Sequence, residues 1–224
     1  TGLINSRRHI GVSLDLADEF QGVGDLNGDG IGDVLTRNGD SWEAWYLTAT
    51  GNIAFSQVLS IPGSSTQETQ EIGDFDGDGT DELLLRDTAT GEWSSVTFAP
   101  GTGAVTGTRM PAMTTSSQWT LQGVGDFDGN GRDDALLRRT NGRWQIYNFD
   151  ASGNVTSEPR VPMTPNGTWQ LRWLDDFDGD GNTDVLLRRT NTLQWTLYRL
   201  DGSTVLEQGK APLTPKAVWQ TQQQ

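Results

Sequence analysis

Four short stretches hold the residues whose types and spacing allow chemistry: GDLNGDG (24–30), GDFDGDG (73–79), GDFDGNG (125–131) and DDFDGDG (175–181). They lie in a chain of 224 residues with no cysteine and one histidine, His9. Counted from the first aspartate of each motif, positions 1, 3, 5, 7 and 9 carry Asp25, Asn27, Asp29, Ile31 and Asp33 in the first copy. The second has Asp74, Asp76, Asp78, Thr80 and Glu82, and the third Asp126, Asp128, Asn130, Arg132 and Asp134. The fourth has Asp176, Asp178, Asp180, Asn182 and Asp184. Such a pattern can be a metal loop, a pair of catalytic acids or an acidic tight turn.

Alternating carboxylates and amides on a tight turn point oxygens inward, and position 7 adds a backbone carbonyl. Glycine at position 6 (Gly30, Gly79, Gly131, Gly181) lets the chain bend sharply. Calcium takes six to eight oxygen ligands at about 2.3–2.6 Å in a flexible shell, whereas magnesium demands stricter octahedral geometry and retains water. The donor set therefore suits Ca²⁺, about one ion per loop and four in all. Position 12 is Thr36, Leu85, Leu137 or Leu187, so an EF-hand's distal glutamate is missing and the acid at position 9 must close the shell. Fourteen carboxylates occupy ligand positions, and like charges a few ångströms apart repel unless a cation intervenes. Catalysis by paired acids needs one asymmetric site. Four near-identical clusters with no His, Lys or nucleophile beside them read as structure, and the chain is not expected to be an enzyme.

The loops are spaced by 49, 52 and 50 residues, and other residues keep their phase. Arg37, Arg86, Arg138 and Arg188 each lie 12 residues after the first aspartate, and Trp42, Trp93, Trp144 and Trp195 lie 17 to 19 after it. Pro62, Pro111, Pro162 and Pro212 close the units, while Trp119, Trp169 and Trp219 recur upstream of a loop position. Such a period marks stacked supersecondary units. Within the third unit, LQGVGDF, ALLRRT, RWQIYNF and NVTSEPRV read as strands. Asn141-Gly142 and Ser152-Gly153 form the turns between the last three. The apolar runs ALL, VLL and LLL predict second strands covered on both faces. The fold class is all-β: a β-propeller of four-stranded antiparallel blades, four repeats of about 50 residues, as a closed four-bladed ring or part of a larger propeller.

We place the repeats at 21–69, 70–121, 122–171 and 172–224 of a single repeat domain, with 1–20 as an extra outer strand and linker. TGLINSRRHI (1–10) aligns with last strands such as TGAVTGTRMP (102–111), and VWQTQQQ (218–224) with the segment before each acidic loop. The redundancy predicts further blades in a longer chain, or oligomers formed by strand exchange. The absence of an initiator Met and of a basic-then-apolar leader reads as a mature chain or an excised fragment. A net charge of −14 argues against nucleic acid, and no segment approaches the apolar length of a membrane-spanning helix.

The pattern GDFDGDGxxDxLLR, followed by TG or NG and then Trp, resembles the FG-GAP/VCBS repeats of integrin-α-like β-propellers, especially those of bacterial secreted and surface proteins. The resemblance covers about 200 of the 224 residues. It implies four-stranded blades, a calcium between the first two strands of each, the ligands named above, and an extracellular setting. Asn27 and Asn130, Glu82 at a closing position, and Asp175 in place of Gly24, Gly73 and Gly125 depart from the pattern. So does the number of repeats, since such propellers usually have seven or eight blades.

In-phase aromatics read as core between blades, and the phased arginines as partners of the acidic loops or of those tryptophans. Function is sought where the repeats differ. Trp173 stands where the siblings have Gly22, Glu71 and Gly123, and is a candidate exposed ligand-binding aromatic. Trp45 is a second candidate, although Tyr147 and Tyr198 share its position. The leading expectation is a calcium-stabilised extracellular binding or adhesion module for a protein or matrix partner. A lectin and an accessory domain of a secreted enzyme are the alternatives.

Overall fold

A computed structural model describes residues 17–62 and 65–210. The terminal segments aligned above, with His9, Pro212 and Trp219, lie outside the described residues. Seventeen strands form four antiparallel sheets, and no helix occurs among the described residues. The first sheet is β1 (Glu19–Gly24), β2 (Asp33–Asn38), β3 (Ser41–Leu47) and β4 (Ile53–Leu59). The second is β5 (Gln67–Gly73), β6 (Glu82–Asp87), β7 (Trp93–Phe98) and β8 (Val105–Arg109). The third has β9 (Trp119–Gly125), β10 (Asp134–Arg139) and β11 (Trp144–Phe149), with an outer edge made of β12 (Val155–Ser157) and β13 (Arg160–Val161). Pro159, which has no N–H to give to a ladder, falls in the gap between those two pieces. The fourth sheet is β14 (Trp169–Asp175), β15 (Asp184–Arg189), β16 (Trp195–Asp201) and β17 (Thr204–Lys210).

Each sheet runs in chain order, and each acidic loop joins its first strand to its second. The second strands are the blade centres: Leu83, Leu84, Leu85, Leu136 and Leu137 are essentially inaccessible, as the unbroken apolar runs predict. Every first strand carries a bulge at the same place, leaving Gln21, Gln70, Gln122 and Arg172 out of register. A bulge re-aims its side chain and tightens the local twist.

The chain divides into two compact units. One holds the first two blades, through residue 111, and the other holds the last two, from residue 112, together with residues 75–77. Leu26, Leu35, Trp42, Tyr46, Leu83 and Val96 build the core of the first, and Phe127, Leu136, Trp144, Ile146, Leu187 and Tyr198 that of the second.

The phased arginines and tryptophans are cross-strand partners. Arg37 pairs with Trp42, Arg86 with Trp93, Arg138 with Trp144 and Arg188 with Trp195, with guanidinium-to-ring distances of 4.6, 4.9, 4.5 and 5.2 Å. Of the two partners expected for these arginines, the tryptophans are the ones they stack on. Trp42, Trp93 and Trp144 are buried, as core residues should be. Trp119 and Trp169 are only half-buried, lying beneath Arg139 and Arg189 at 6.0 and 5.8 Å.

Candidate metal centres

The four loops share one hydrogen-bond scheme built around the first aspartate. Its carboxylate accepts the N–H groups of positions 5 and 6: Asp25 from Asp29 and Gly30 at 3.0 and 2.6 Å, and Asp126 from Asn130 and Gly131 at 3.0 and 2.7 Å. Asp74 and Asp176 repeat the pattern with Asp78 and Gly79, and with Asp180 and Gly181. These donors, that of Gly181 above all, hold the Asp176 carboxyl below its ordinary range. Position 5 accepts the N–H of position 7 in every loop, giving Asp29–Ile31, Asp78–Thr80, Asn130–Arg132 and Asp180–Asn182 at 2.8 or 2.9 Å.

Position 9 is buried in every loop. Asp33, Asp134 and Asp184 are inaccessible, and Glu82 nearly so. One oxygen of Asp33 accepts the N–H of Leu26 and the other that of Leu47. Asp134 does the same with Phe127 and Phe149, and Asp184 with Phe177 and Leu200. This acid thus ties the loop to the third strand of its blade. Burial, and then the charges of Asp29 and Asp25, push Asp33 up to about 6. Burial and the charges of Asp128 and Asp126 push Asp134 up to about 8.

Carboxylate oxygens converge within 4.8 Å of one another in three sets: Asp74, Asp76 and Asp78; Asp126, Asp128 and Asp134; Asp176, Asp178 and Asp180. These clusters can hold a metal ion, and the all-oxygen donor set fits a hard divalent cation. The closing acid joins the set in the third loop. In the fourth it is Asp180, not Asp184, that stands with Asp176 and Asp178. Protein groups also reach these acids: Asn148 Nδ2 donates to Asp128 and Asp134 at 3.0 and 3.1 Å, and Arg199 pairs with Asp178.

The sequence reasoning passed over a second glycine. Position 4 (Gly28, Gly77, Gly129, Gly179) has φ between 70 and 80°, in the left-handed region, as do the position-6 glycines. At Gly28 a Cβ would lie 2.9 Å from Thr80 Oγ1, and at Gly129 2.8 Å from Asn182 Oδ1. Position 4 is therefore where one loop rests on position 7 of the next. The N–H of position 8 completes this seam, with Asp81 donating to the Asp25 carbonyl at 2.8 Å and Thr183 to that of Asp126 at 2.6 Å. The signal was in the sequence, since all four copies have glycine there.

Two further positions, glycine in both the first and the third blade, show what sets the fourth blade apart. A Cβ at Gly22 would lie 2.8 Å from Ile72 Cδ1, and one at Gly123 2.7 Å from Leu174 Cδ1. One at Gly24 would lie 2.7 Å from Asp81 Oδ2, and one at Gly125 2.7 Å from Thr183 Oγ1. In the fourth blade these positions are Trp173 and Asp175, and Trp173 is 53% exposed, with Phe177 42% exposed beside the loop. This face is not cut for the close neighbour that the first and third blades admit. Trp45 is half-buried, and its indole N–H donates to Thr36 Oγ1 at 3.2 Å. The strand register places it level with Val96, Tyr147 and Tyr198.

No curated protein matches the chain. Residues 25–85 match a family described as FG-GAP-like repeat. Among solved structures, a lectin from Agrocybe aegerita, described in terms of its specific recognition of non-reducing terminal N-acetylglucosamine, matches with TM-score 0.63 at 14% identity. That match covers 84% of this chain and 50% of the lectin. A protein from Lactobacillus plantarum matches with TM-score 0.52 at 16% identity, over 85% of this chain and 55% of its own. The chain thus spans about half the length of both. The β-propeller domain of Cps50 (Swd1) from Myceliophteria thermophila has TM-score 0.46 at 14% identity, over 80% of this chain and 56% of that one. No helix among the described residues is long and apolar enough to cross a membrane. An all-β chain of four-stranded antiparallel blades, with an FG-GAP-like repeat at residues 25–85, belongs with the β-propellers in fold.

Proposed function

We propose that the chain is a calcium-stabilised extracellular binding module whose blades present a surface to a protein or glycan partner. The observation that carries this reading is the convergence of three carboxylates within 4.8 Å in each of three loops that also seam one blade to the next. Ionised acids at that separation repel, and a divalent cation converts the repulsion into a cross-link. Positions 1, 3, 5 and 9 would hold Ca²⁺ through side-chain oxygens and position 7 through its carbonyl. The ion would supply charge neutralisation and rigidity rather than chemistry on a substrate. Such sites fill where calcium is abundant, which favours an extracellular setting.

Calorimetric titration of chelator-treated protein should give about one Ca²⁺ per loop, with a matching rise in melting temperature as the folded state is selected. A melting temperature that chelator does not lower, in a sample shown to contain calcium, would end this reading. Partner binding falls to the residues that do not repeat, with Trp173 first among them. A carbohydrate ligand is the second reading, favoured by an open polar groove of about 660 Å³ beside the third and fourth blades.

A further inference from the structure

The same groove recurs in both units, and its charge is opposite in the two. In the first unit a groove of about 640 Å³ is lined by Glu19, Asp40 and Glu68 around Arg37, which pairs with Asp40 at 3.7 Å. In the second, the groove of about 660 Å³ is lined by Arg138, Arg139 and Arg172 and has no acidic residue in its wall. The strand registers make the substitutions explicit. Thr120 opposite Arg138 replaces Glu19 opposite Arg37, and Gln170 opposite Arg188 replaces Glu68 opposite Arg86. Arg172 is the bulge residue of β14, where the three other blades carry Gln21, Gln70 and Gln122.

All three arginines are held by neutral partners. Arg138 donates to the Trp169 and Asn166 carbonyls at 2.5 and 3.0 Å, and burial lowers its ordinary pKa. Arg139 donates through Nε to Gln118 Oε1 at 2.9 Å, and Arg172 to Gln170 Oε1 at 2.8 Å. No carboxylate among the described residues pairs with any of them. In a chain of net charge −14, three uncompensated guanidinium groups around one groove are an anion site waiting for its counter-charge.

We propose that the groove between the third and fourth blades binds an acidic saccharide, with Arg138, Arg139 and Arg172 receiving its carboxylate groups and Thr120, Gln122 and Gln170 its hydroxyls. A guanidinium matches a planar carboxylate in bidentate geometry. Hydroxyl and amide side chains both donate and accept, as a polyol requires. The scant apolar lining, Leu121 and Leu171, offers little to anchor a peptide. The proposal rests on the binding-module reading and gives that module a ligand class and a site.

The test is calorimetric binding of trigalacturonate, a neutral galactose trisaccharide and hexaglutamate to the full chain in calcium-saturated buffer. Trigalacturonate should bind at least about tenfold more tightly than the other two. Arg172→Gln restores the residue of the sibling blades, and Arg139→Asn that of Asn38. Both variants should fold, which their melting curves verify, and each should weaken trigalacturonate binding about tenfold. Glu19→Gln, in the other groove, should leave it unchanged. Equal binding of the acidic and neutral sugars, preference for hexaglutamate, indifference to Arg172→Gln, or no saccharide binding at all would each overturn the assignment. Failure of the module reading shows separately, as a melting temperature insensitive to chelator in the same preparation.

Discussion

The Arg138 guanidinium lies 4.5 Å from the centroid of the Trp144 ring, its cross-strand partner in the third blade, while two of its N–H groups reach the carbonyls of Trp169 and Asn166. One side chain thus joins the stacking within a blade to the seam with the next. Arg37 repeats the arrangement in the first unit, on Trp42 and the Gln67 carbonyl. A desolvated cation–π contact contributes about 1–2 kcal/mol, and a charged hydrogen bond about 1.5–3 kcal/mol. Arg138→Ala should therefore lower the urea-unfolding free energy by about 2–4 kcal/mol. Combined with Trp144→Leu in a double-mutant cycle, it should leave a coupling of about 1 kcal/mol. A loss below about 0.5 kcal/mol, the size of an ordinary surface substitution, would show that the arginine holds neither contact.

The buried acids at position 9 make stability depend on pH in a direction that calcium reverses. Asp134 titrates near 8 in the folded chain, against an ordinary value of 3.8. A carboxyl whose folded pKa is raised gives its full stabilisation below the unfolded value and loses it as pH rises through the folded one. The calcium-free protein should therefore lose stability between about pH 4 and pH 8 from this group, with Asp33, near 6, adding to the slope. Calcium binds the ionised form, so the gain on adding it should widen over the same window and ion binding should release protons. Melting temperatures in chelator and in calcium, taken across that range, give both curves. Parallel curves would contradict the assignment of Asp134 as a ligand.

The periodic features were legible because each copy of the blade repeats the same physical demand. Arg, Trp, the loop acids and the position-6 glycine keep phase for reasons that act within one blade, and a single sequence compared with itself displays them. The four-stranded order and the buried second strands followed from apolar runs and turn residues. Part of what was not legible depends on contacts between blades, and part on irregularities within one. Gly22 and Gly123 look like ordinary strand glycines until Ile72 and Leu174 are seen against them. The bulge at Gln21, Gln70, Gln122 and Arg172 leaves no mark in the polar–apolar pattern, so nothing in that pattern singles out Arg172. The gathering of Asp180 rather than Asp184 in the fourth cluster is likewise not given by spacing, since Asp134, held by the same two backbone donors, does join the third.

The two loop glycines differ in what surrounds them, and alanine should separate the effects. Gly181 has φ +92° with nothing within 4 Å of an added Cβ, so Gly181→Ala costs only backbone strain, about 1–2 kcal/mol. Gly129 has φ +70°, and its Cβ would lie 2.8 Å from Asn182 Oδ1. Gly129→Ala should cost about 1 kcal/mol more than Gly181→Ala, because the Asn182 side chain must also move. Adding Asn182→Ala should recover that excess in urea denaturation. Equal costs at the two sites would mean that the position-4 glycines serve the turn alone and not the seam.

Leu193 is the one non-glycine residue with positive φ among the described residues, at 58°. It ends the turn between β15 and β16, with its N–H bonded to the Arg189 carbonyl at 2.9 Å. In the second blade Gly91 makes the same bond, to Asp87 at 2.7 Å, with φ +79°. The left-handed region costs a residue with a side chain about 1–2 kcal/mol, and glycine nothing comparable, although glycine gives back part of the difference as unfolded-chain entropy. Leu193→Gly should therefore stabilise the chain by about 0.5–1 kcal/mol, read as a higher urea midpoint at unchanged slope. Leu193→Ala keeps the strain and should show no such gain. If Leu193→Gly destabilises, the leucine side chain contributes packing that outweighs its backbone strain.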